Sequence, residues 1–164
     1  MRFLRTIRFD ASDDHVFERA AAADEWAIPG GFLFAGGEPE DLTGKARQAF
    51  ANGFVGLPSF GHSTLVSVAE INDAEVEDLV GTLAGVFRER FGAPDDDSAT
   101  NAAHDEIGFV LDLCADLPIN TLLAVTRSPD EAGGIREKFR TLEAPTDKPH
   151  ARIWDVVEEP GDVP

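Results

Sequence analysis

The strongest constraint on the fold is a pair of long segments with helical periodicity, joined by a short acidic loop. The first begins after Asn72, which is followed three residues later by a glutamate as in a capping box, and it ends before Gly92. Its apolar stripe consists of Val76, Leu79, Val80, Leu83 and Phe87. The second begins after Ser98, ends before Pro118 and has a similar stripe: Ala103, Ile107, Val110, Leu111 and Cys114. The short connection predicts an antiparallel pair that needs an apolar surface to cover.

Apolar segments elsewhere in the chain predict the strands that supply this surface. Residues 2–9 alternate with a period of two, and residues 62–69 are dense in β-branched side chains. Residues 16–17 are expected to form a hairpin with the first strand. Further short strands are predicted at 122–125 and 151–157, and residues 26–28 and 32–34 are expected to form two short strands or one kinked strand.

Two shorter helices complete the predicted elements. One spans about 40–51, with Gly53 as its C-terminal cap. The other begins at residues 128–131, where a serine cap, a proline and two acids match the start of a helix, and it carries Ile135, Phe139 and Leu142. The intervening segment 54–61, rich in Gly, Pro and Phe, is predicted to be a structured loop.

This order of elements predicts an α+β fold. We expect one mixed β-sheet of about five or six strands, with about four helices mainly on one face. The 164 residues suit a single domain. Residues 1–158 are expected to form it and residues 159–164 to form a frayed C-terminal tail.

The charge of the chain restricts its partners. There are 31 Asp and Glu but only 14 Lys and Arg, a net charge of −17. Nucleic acid and anionic membranes are poor partners, because both attract basic surfaces. The charge serves solubility or favours a protein partner with a basic face. No signal peptide and no apolar run of about 18 residues is present, so a cytoplasmic location is expected.

No catalytic or cofactor motif is complete. Gly44-Lys45 lacks the first glycine and the metal-holding hydroxyl of a phosphate loop. The lone cysteine, Cys114, lies on an apolar helical stripe and excludes an internal disulfide framework. The histidines share no metal-ligand spacing: His15, His62, His104 and His150. We therefore predict no catalytic residue, no metal site and no cofactor, and a noncatalytic protein is favoured over an enzyme.

The segment 54–64, FVGLPSFGHST, is the best candidate for a binding loop. Its glycines and proline permit close approach of the backbone, and Ser59, His62 and Ser63 offer hydrogen-bonding groups. Trp26 is a further candidate, since exposed aromatic residues often anchor partners. The alternative is that the loop only leads into the next strand and that these aromatic residues fill the core. A small-molecule binding protein or enzyme with a pocket near 54–64 is the resulting second hypothesis.

Three stretches carry a resemblance to a known family: FLRTIRFD at 3–10, VFERAA to EWAIPGGFLF within 16–34, and GLPSFGHSTLV at 56–66. The chain resembles a family of small acidic bacterial proteins of unknown function. The resemblance implies that the gene lies near genes for the assembly of molybdenum- or iron–sulfur-containing redox enzymes. It hence implies an accessory role in that assembly. It assigns no catalytic residue. A homodimer formed through an exposed strand edge is a third hypothesis.

Overall fold

The computed structural model describes residues 1–35 and 37–142. Within them the strands are β1 Arg2–Ile7, β2 Trp26–Ile28, β3 Phe54–Leu57, β4 His62–Ser63, β5 Leu65–Glu70, β6 Leu122–Pro129 and β7 Ile135–Leu142. The helices are α1 Ser12–Val16, α2 Gly44–Asn52, α3 Asp73–Arg90 and α4 Asp96–Cys114. Two 3₁₀ turns lie at Gly31–Phe34 and Pro39–Asp41. None of the helices in these ranges has the length and apolarity that crossing a membrane requires.

The seven strands form one sheet in the order β4-β3-β2-β1-β5-β6-β7. Every pair of neighbouring named strands is antiparallel, and an isolated bridge between Ala20 and His62 is parallel. The helix pair explains the antiparallel pairing of β5 and β6, because two antiparallel helices return the chain to the end of the sheet that it left. The predicted α+β fold with a single sheet and four helices is confirmed.

The two long helices fold as their sequence patterns predict. The Asn72 side chain accepts a hydrogen bond from the Glu75 N–H at 2.8 Å, and its own N–H donates to the Glu75 carboxylate at 3.0 Å. The next helix begins earlier than predicted, since Asp95 caps it by accepting from the Ser98 N–H at 2.7 Å. Both stripes lie in the main core, and of the stripe residues only Val76 and Leu111 are half-buried rather than fully buried.

The segment predicted as the last helix is a strand. Residues 128–129 end β6, and β7 pairs with β6 along its whole length, from Pro129 opposite Ile135 to Leu122 opposite Leu142. Strand pairing outweighs the local helix-start pattern for two reasons. The two glycines at 133–134 weaken a first helical turn, and the apolar β6 offers a complete cross-strand partner.

Other boundaries differ where a local hydrogen bond or a left-handed glycine determines the backbone. Residues 16–17 are not a strand, because the Asp10 carboxylate accepts from the Ser12 N–H at 2.8 Å and starts α1. Residues 32–34 form a 3₁₀ turn after Gly30, which has a left-handed φ of 76°. The helix predicted at 40–51 begins only at Gly44, also left-handed with a φ of 59°.

The remaining differences concern the segment from 54 to 69. The predicted loop 54–61 contains β3, whose four residues are all buried. The predicted strand 62–69 is divided at Thr64, whose hydroxyl donates to Asp13 of α1 at 2.7 Å. The predicted strand at 151–157 and the tail 159–164 lie outside the described residues.

A buried guanidinium ties the β6–β7 hairpin to the rest of the fold. The Arg127 side chain is 0% exposed. Its Nη1 donates to the Phe50 and Gly53 carbonyls at 3.0 and 2.9 Å, and its Nη2 donates to the Pro29 carbonyl. Its Nε donates to the Glu137 carboxylate at 2.7 Å. One side chain thus closes the C-terminus of α2, the loop after β2 and the hairpin.

The position of α2 beside β6 makes this arrangement possible. In the β5–β6 pairing only Leu122 and Leu123 of β6 lie opposite β5 residues. Farther along β6 the end of α2 lies beside the strand, and the Asn52 side-chain amide donates to the Val125 carbonyl at 3.1 Å. The last carbonyls of α2 therefore face β6, where Arg127 satisfies them.

We expect Arg127→Met to lower the free energy of unfolding by about 3 kcal/mol, because it leaves buried carbonyls and one carboxylate without their donor. Arg127→Lys keeps the charge but not the planar fork, so its loss should be intermediate. Arg136→Met on the exposed side of β7 is the matched control and should stay within about 0.5 kcal/mol of the wild type. Urea denaturation measures all three. Equal stabilities for the two methionine variants would contradict the assigned role of Arg127.

Candidate functional site

A cavity of about 390 Å³ opens between the first 3₁₀ turn, the middle of α4 and the β6–β7 turn. We call it the Glu106–Glu137 cleft. The described residues that line it are Gly31, Phe32, Phe34, Ala35, Gly37, Pro39, Glu106, Gly133, Gly134, Ile135 and Glu137. Its size suits an amino-acid side chain or a small organic group.

The two carboxylates of the cleft have different surroundings. Glu137 is fixed, because its Oε2 accepts from Arg127, and a Cβ at Gly31 would lie 2.7 Å from this oxygen. Glu106 is half-buried, and its carboxylate has no hydrogen bond or ion pair with any residue in 1–35 or 37–142. Burial raises the pKa of Glu106 above its ordinary value, and the charges of Glu137 and Asp105 raise it further.

Two aromatic rings, of Phe32 and Phe34, also line the cleft, and each is held by other rings. Phe32 packs edge-on against Phe87 and Phe91, with ring centres 5.0 and 5.3 Å away. Phe34 packs edge-on against Phe50 at 5.3 Å. Such contacts fix the orientation of both rings, so that the cleft has a rigid apolar side.

The charges around the cleft do not cancel. Arg127 lies behind Glu137 and compensates its carboxylate, which leaves Glu106 as an excess negative charge among partly apolar walls. In such surroundings the interaction between opposite charges is stronger than in water. Aromatic rings add an attraction for cations. The arrangement therefore suits an organic cation. Among the described residues no group of three or more His, Cys, Asp or Glu is arranged to hold a metal ion.

Two of the predicted site residues are serines whose hydroxyls are already bonded within the fold. The Ser59 hydroxyl donates to Glu25 at 2.9 Å and accepts from the Gly61 N–H at 3.0 Å. Ser63 is fully buried, and its hydroxyl donates to the Leu65 carbonyl at 2.7 Å. These bonds hold the turn after β3 and the break between β4 and β5.

Trp26 is half-buried on β2, between β1 and β3, and contributes to packing. The guanidinium of Arg5 lies 3.8 Å from the centre of its ring, and Phe3 meets the ring edge-on at 5.9 Å. Trp26 pairs with Leu57 across β2 and β3. It does not line the Glu106–Glu137 cleft, and neither do the three candidates from segment 54–64.

His62 is the fourth predicted residue and the one with an unusual environment. Its ring lies 5.5 Å from that of Phe17, and no described residue bonds to its Nε2. Gly53 provides the space, since a Cβ there would lie 2.8 Å from the ring. Burial, and secondly the charge of Arg127, lower the pKa of His62 from 6.5 to about 4.

Sequence reasoning missed the residues of the cleft. The sequence patterns do not single out Glu106, and the available signal is its position next to Ile107 of the apolar stripe. Glu137 was assigned to a helix. In β7 it lies on the same face as Ile135 and Phe139, and the exposed residues between them complete the pattern of a strand with one packed face.

A model of a family of unknown function, DUF6505, matches residues 1–153. The chain belongs to this family. The resemblance to a family of unknown function is thereby confirmed, and DUF6505 membership assigns no activity. Neither a curated protein nor a solved structure matches the chain.

The lowered pKa of His62 predicts a loss of stability in acid. An unfolded chain takes up a proton near pH 6.5, whereas the folded protein does so only near pH 4. Stability contributed by the neutral ring is therefore present above pH 6.5 and is lost as the pH falls towards 4, by about 3 kcal/mol in full. His62→Leu should remove this part of the pH dependence in urea titrations between pH 7.5 and 4.

His104→Leu, at an exposed position on α4, controls for the removal of an imidazole as such. The difference in unfolding free energy between His62→Leu and the wild type isolates the residue. Parallel pH profiles for these two proteins would show that His62 is not buried in its neutral form.

Proposed function

We propose that the protein is a noncatalytic binding protein that docks onto a partner with a basic face, with a basic side chain of that partner entering the Glu106–Glu137 cleft. The observation that carries the proposal is the Glu106 carboxylate, half-buried and without a counter-ion among the described residues, in a cleft that the rings of Phe32 and Phe34 also line. A half-buried carboxylate without a counter-ion lowers stability, and an incoming cation removes that cost.

The charge of the whole chain supports the same partner. The net charge of −17 attracts a basic surface over a distance and raises the rate of encounter. The helix that supplies Glu106 also carries Asp105 and Asp112 in exposed positions, and the acids at 95–97, which are its cap and its first two residues, are exposed as well. The cleft would then fix the register of a complex that the wider charge brings together.

A redox metalloenzyme under assembly is the class of partner that we propose on the family resemblance. The support for this class is the resemblance in residues 3–10, 16–34 and 56–66, not a contact in the fold. The docking surface requires only that the partner expose a basic side chain beside other basic residues.

A small-molecule site at segment 54–64 has less support. Ser59 and Ser63 use their hydroxyls in bonds within the fold, and the His62 ring is packed against Phe17. A ligand there would have to displace these contacts, whereas the Glu106–Glu137 cleft is already open.

Glu106→Gln tests the proposal, because it keeps the shape of the side chain and removes its charge. We expect the variant to lose the partner at least tenfold in affinity, as expected when a charge-assisted contact becomes neutral. The tagged wild type and the variant are compared as baits in extract of the producing organism, and the retained protein is then purified and titrated by calorimetry. Asp112→Asn removes one charge from the same helix outside the cleft and should bind nearly as the wild type does.

Salt separates the two contributions to binding. Raising the ionic strength should slow association of the wild type and of Asp112→Asn alike. The ratio between the affinities of the wild type and Glu106→Gln should fall less with salt than the association rates do, since the cleft is partly shielded from solvent. A partner that binds Glu106→Gln and the wild type equally would refute docking through the cleft.

A further inference from the structure

The fold already contains a guanidinium in the setting that the cleft offers. On the buried side, Arg127 donates to Glu137 at 2.7 Å, and its guanidinium carbon lies 5.8 Å from the centre of the Phe34 ring. On the open side, the same ring and the Glu106 carboxylate line the cleft. The open side thus also brings a carboxylate and an aromatic ring into one cavity, but without a cation among the described residues.

The physical properties of the two basic side chains favour arginine over lysine there. A guanidinium is planar, stacks on aromatic rings and binds a carboxylate through two parallel donors. It is also more weakly hydrated than an ammonium group, so its entry between Phe32, Phe34 and Glu106 costs less desolvation. A lysine would supply the charge but would leave the ring faces without a flat partner.

A second cavity beside the cleft indicates that the arginine belongs to a peptide segment. It measures about 360 Å³ and shares Phe34 and Pro39 with the cleft. Leu33 and Leu42 add further apolar surface to it. Adjacent side chains of an extended segment diverge, but the segment advances only about 3.3 Å per residue, so a twisted segment could place the arginine in the cleft and an adjacent side chain in this cavity.

We infer that the Glu106–Glu137 cleft recognises an arginine of the partner protein, and that an apolar neighbour of this arginine occupies the second cavity. The inference rests on the proposed function and specifies the chemistry of the partner. It does not require a reaction, and it makes Glu106 the residue that selects the guanidinium.

The test uses acetylated, amidated peptides as probes with the full-length protein. The first is Leu-Arg-Leu, and in two others citrulline or lysine replaces the arginine. Amide shifts of Gly133, Gly134 and Ile135 in ¹H–¹⁵N spectra report occupation of the cleft. We expect Leu-Arg-Leu to bind about tenfold more tightly than the citrulline peptide and at least about threefold more tightly than the lysine peptide.

Variants and a second readout exclude a general charge effect. Glu106→Gln should lose the preference for arginine over citrulline, whereas Asp112→Asn should retain it. Saturation with Leu-Arg-Leu should also lower the pKa of Glu106, measured from its ¹³C carboxyl resonance, because a bound cation favours the carboxylate. Equal binding of the arginine and citrulline peptides, or of the arginine and lysine peptides, would overturn the inference.

Two further arms test the source of the arginine. The peptide Gly-Arg-Gly should bind more weakly than Leu-Arg-Leu, and equal affinities would overturn the apolar neighbour. Lys148→Ala together with Arg152→Ala removes two cations of the chain itself that lie outside the described residues. If only this double variant bound the probe, a cation of the chain itself would be the occupant and a partner's arginine would be refuted.

The inference and the proposed function fail in different ways. If Glu106→Gln loses the natural partner but the peptides show no preference for arginine, the docking site stands and its arginine specificity falls. If Glu106→Gln binds the natural partner normally, the proposed function falls, whatever the peptides do.

Discussion

The interactions of Arg127 are the constraint on which the rest of the structure depends. A guanidinium that is fully buried must have acceptors on every side, or the fold loses several kcal/mol. Three separate segments supply them: the end of α2, the loop at Pro29 and the carboxylate of Glu137. Because these acceptors must converge on one group, the position of α2 against β6 and the position of β7 are set together.

The same group shapes the electrostatics on both of its sides. On one side it disfavours a proton on His62, which burial alone already keeps neutral, and the imidazole remains a packing residue. On the other side it holds the Glu137 side chain in place at the wall of the cleft. The charge of Glu137 then contributes to raising the pKa of Glu106. Among the described residues Arg127 is the one buried cation and Glu137 compensates it, so the charge of Glu106 in the open cavity is left without a counter-ion there.

The helix pair and its caps could be predicted from the sequence because they are local. Asn72 and Glu75 are three residues apart, and an apolar stripe needs no information from outside its helix. The β6–β7 hairpin could not be predicted in this way, because the local sequence at 128–131 favours a helix and only pairing with β6 makes 135–142 a strand. The cleft could not be predicted for a related reason. Phe32, Glu106 and Glu137 come from separate elements, and their convergence depends on the hairpin that the local signal concealed.

In segment 54–64 the composition favours a binding loop, and the structure shows what its polar groups do. Its glycines, proline and hydroxyl groups resemble a binding loop, but the fold uses the polar groups itself: Ser59 with Glu25, Ser63 with Leu65 and Thr64 with Asp13. A polar group that is satisfied inside the protein gains little from a ligand, since binding would only exchange one hydrogen bond for another. Glu106 is in the opposite position. Its carboxylate is partly desolvated, has no counter-ion among the described residues and faces a cavity, so an arriving cation has free energy to gain there. A search for function in this family is therefore better directed at unsatisfied charges than at loops of suggestive composition.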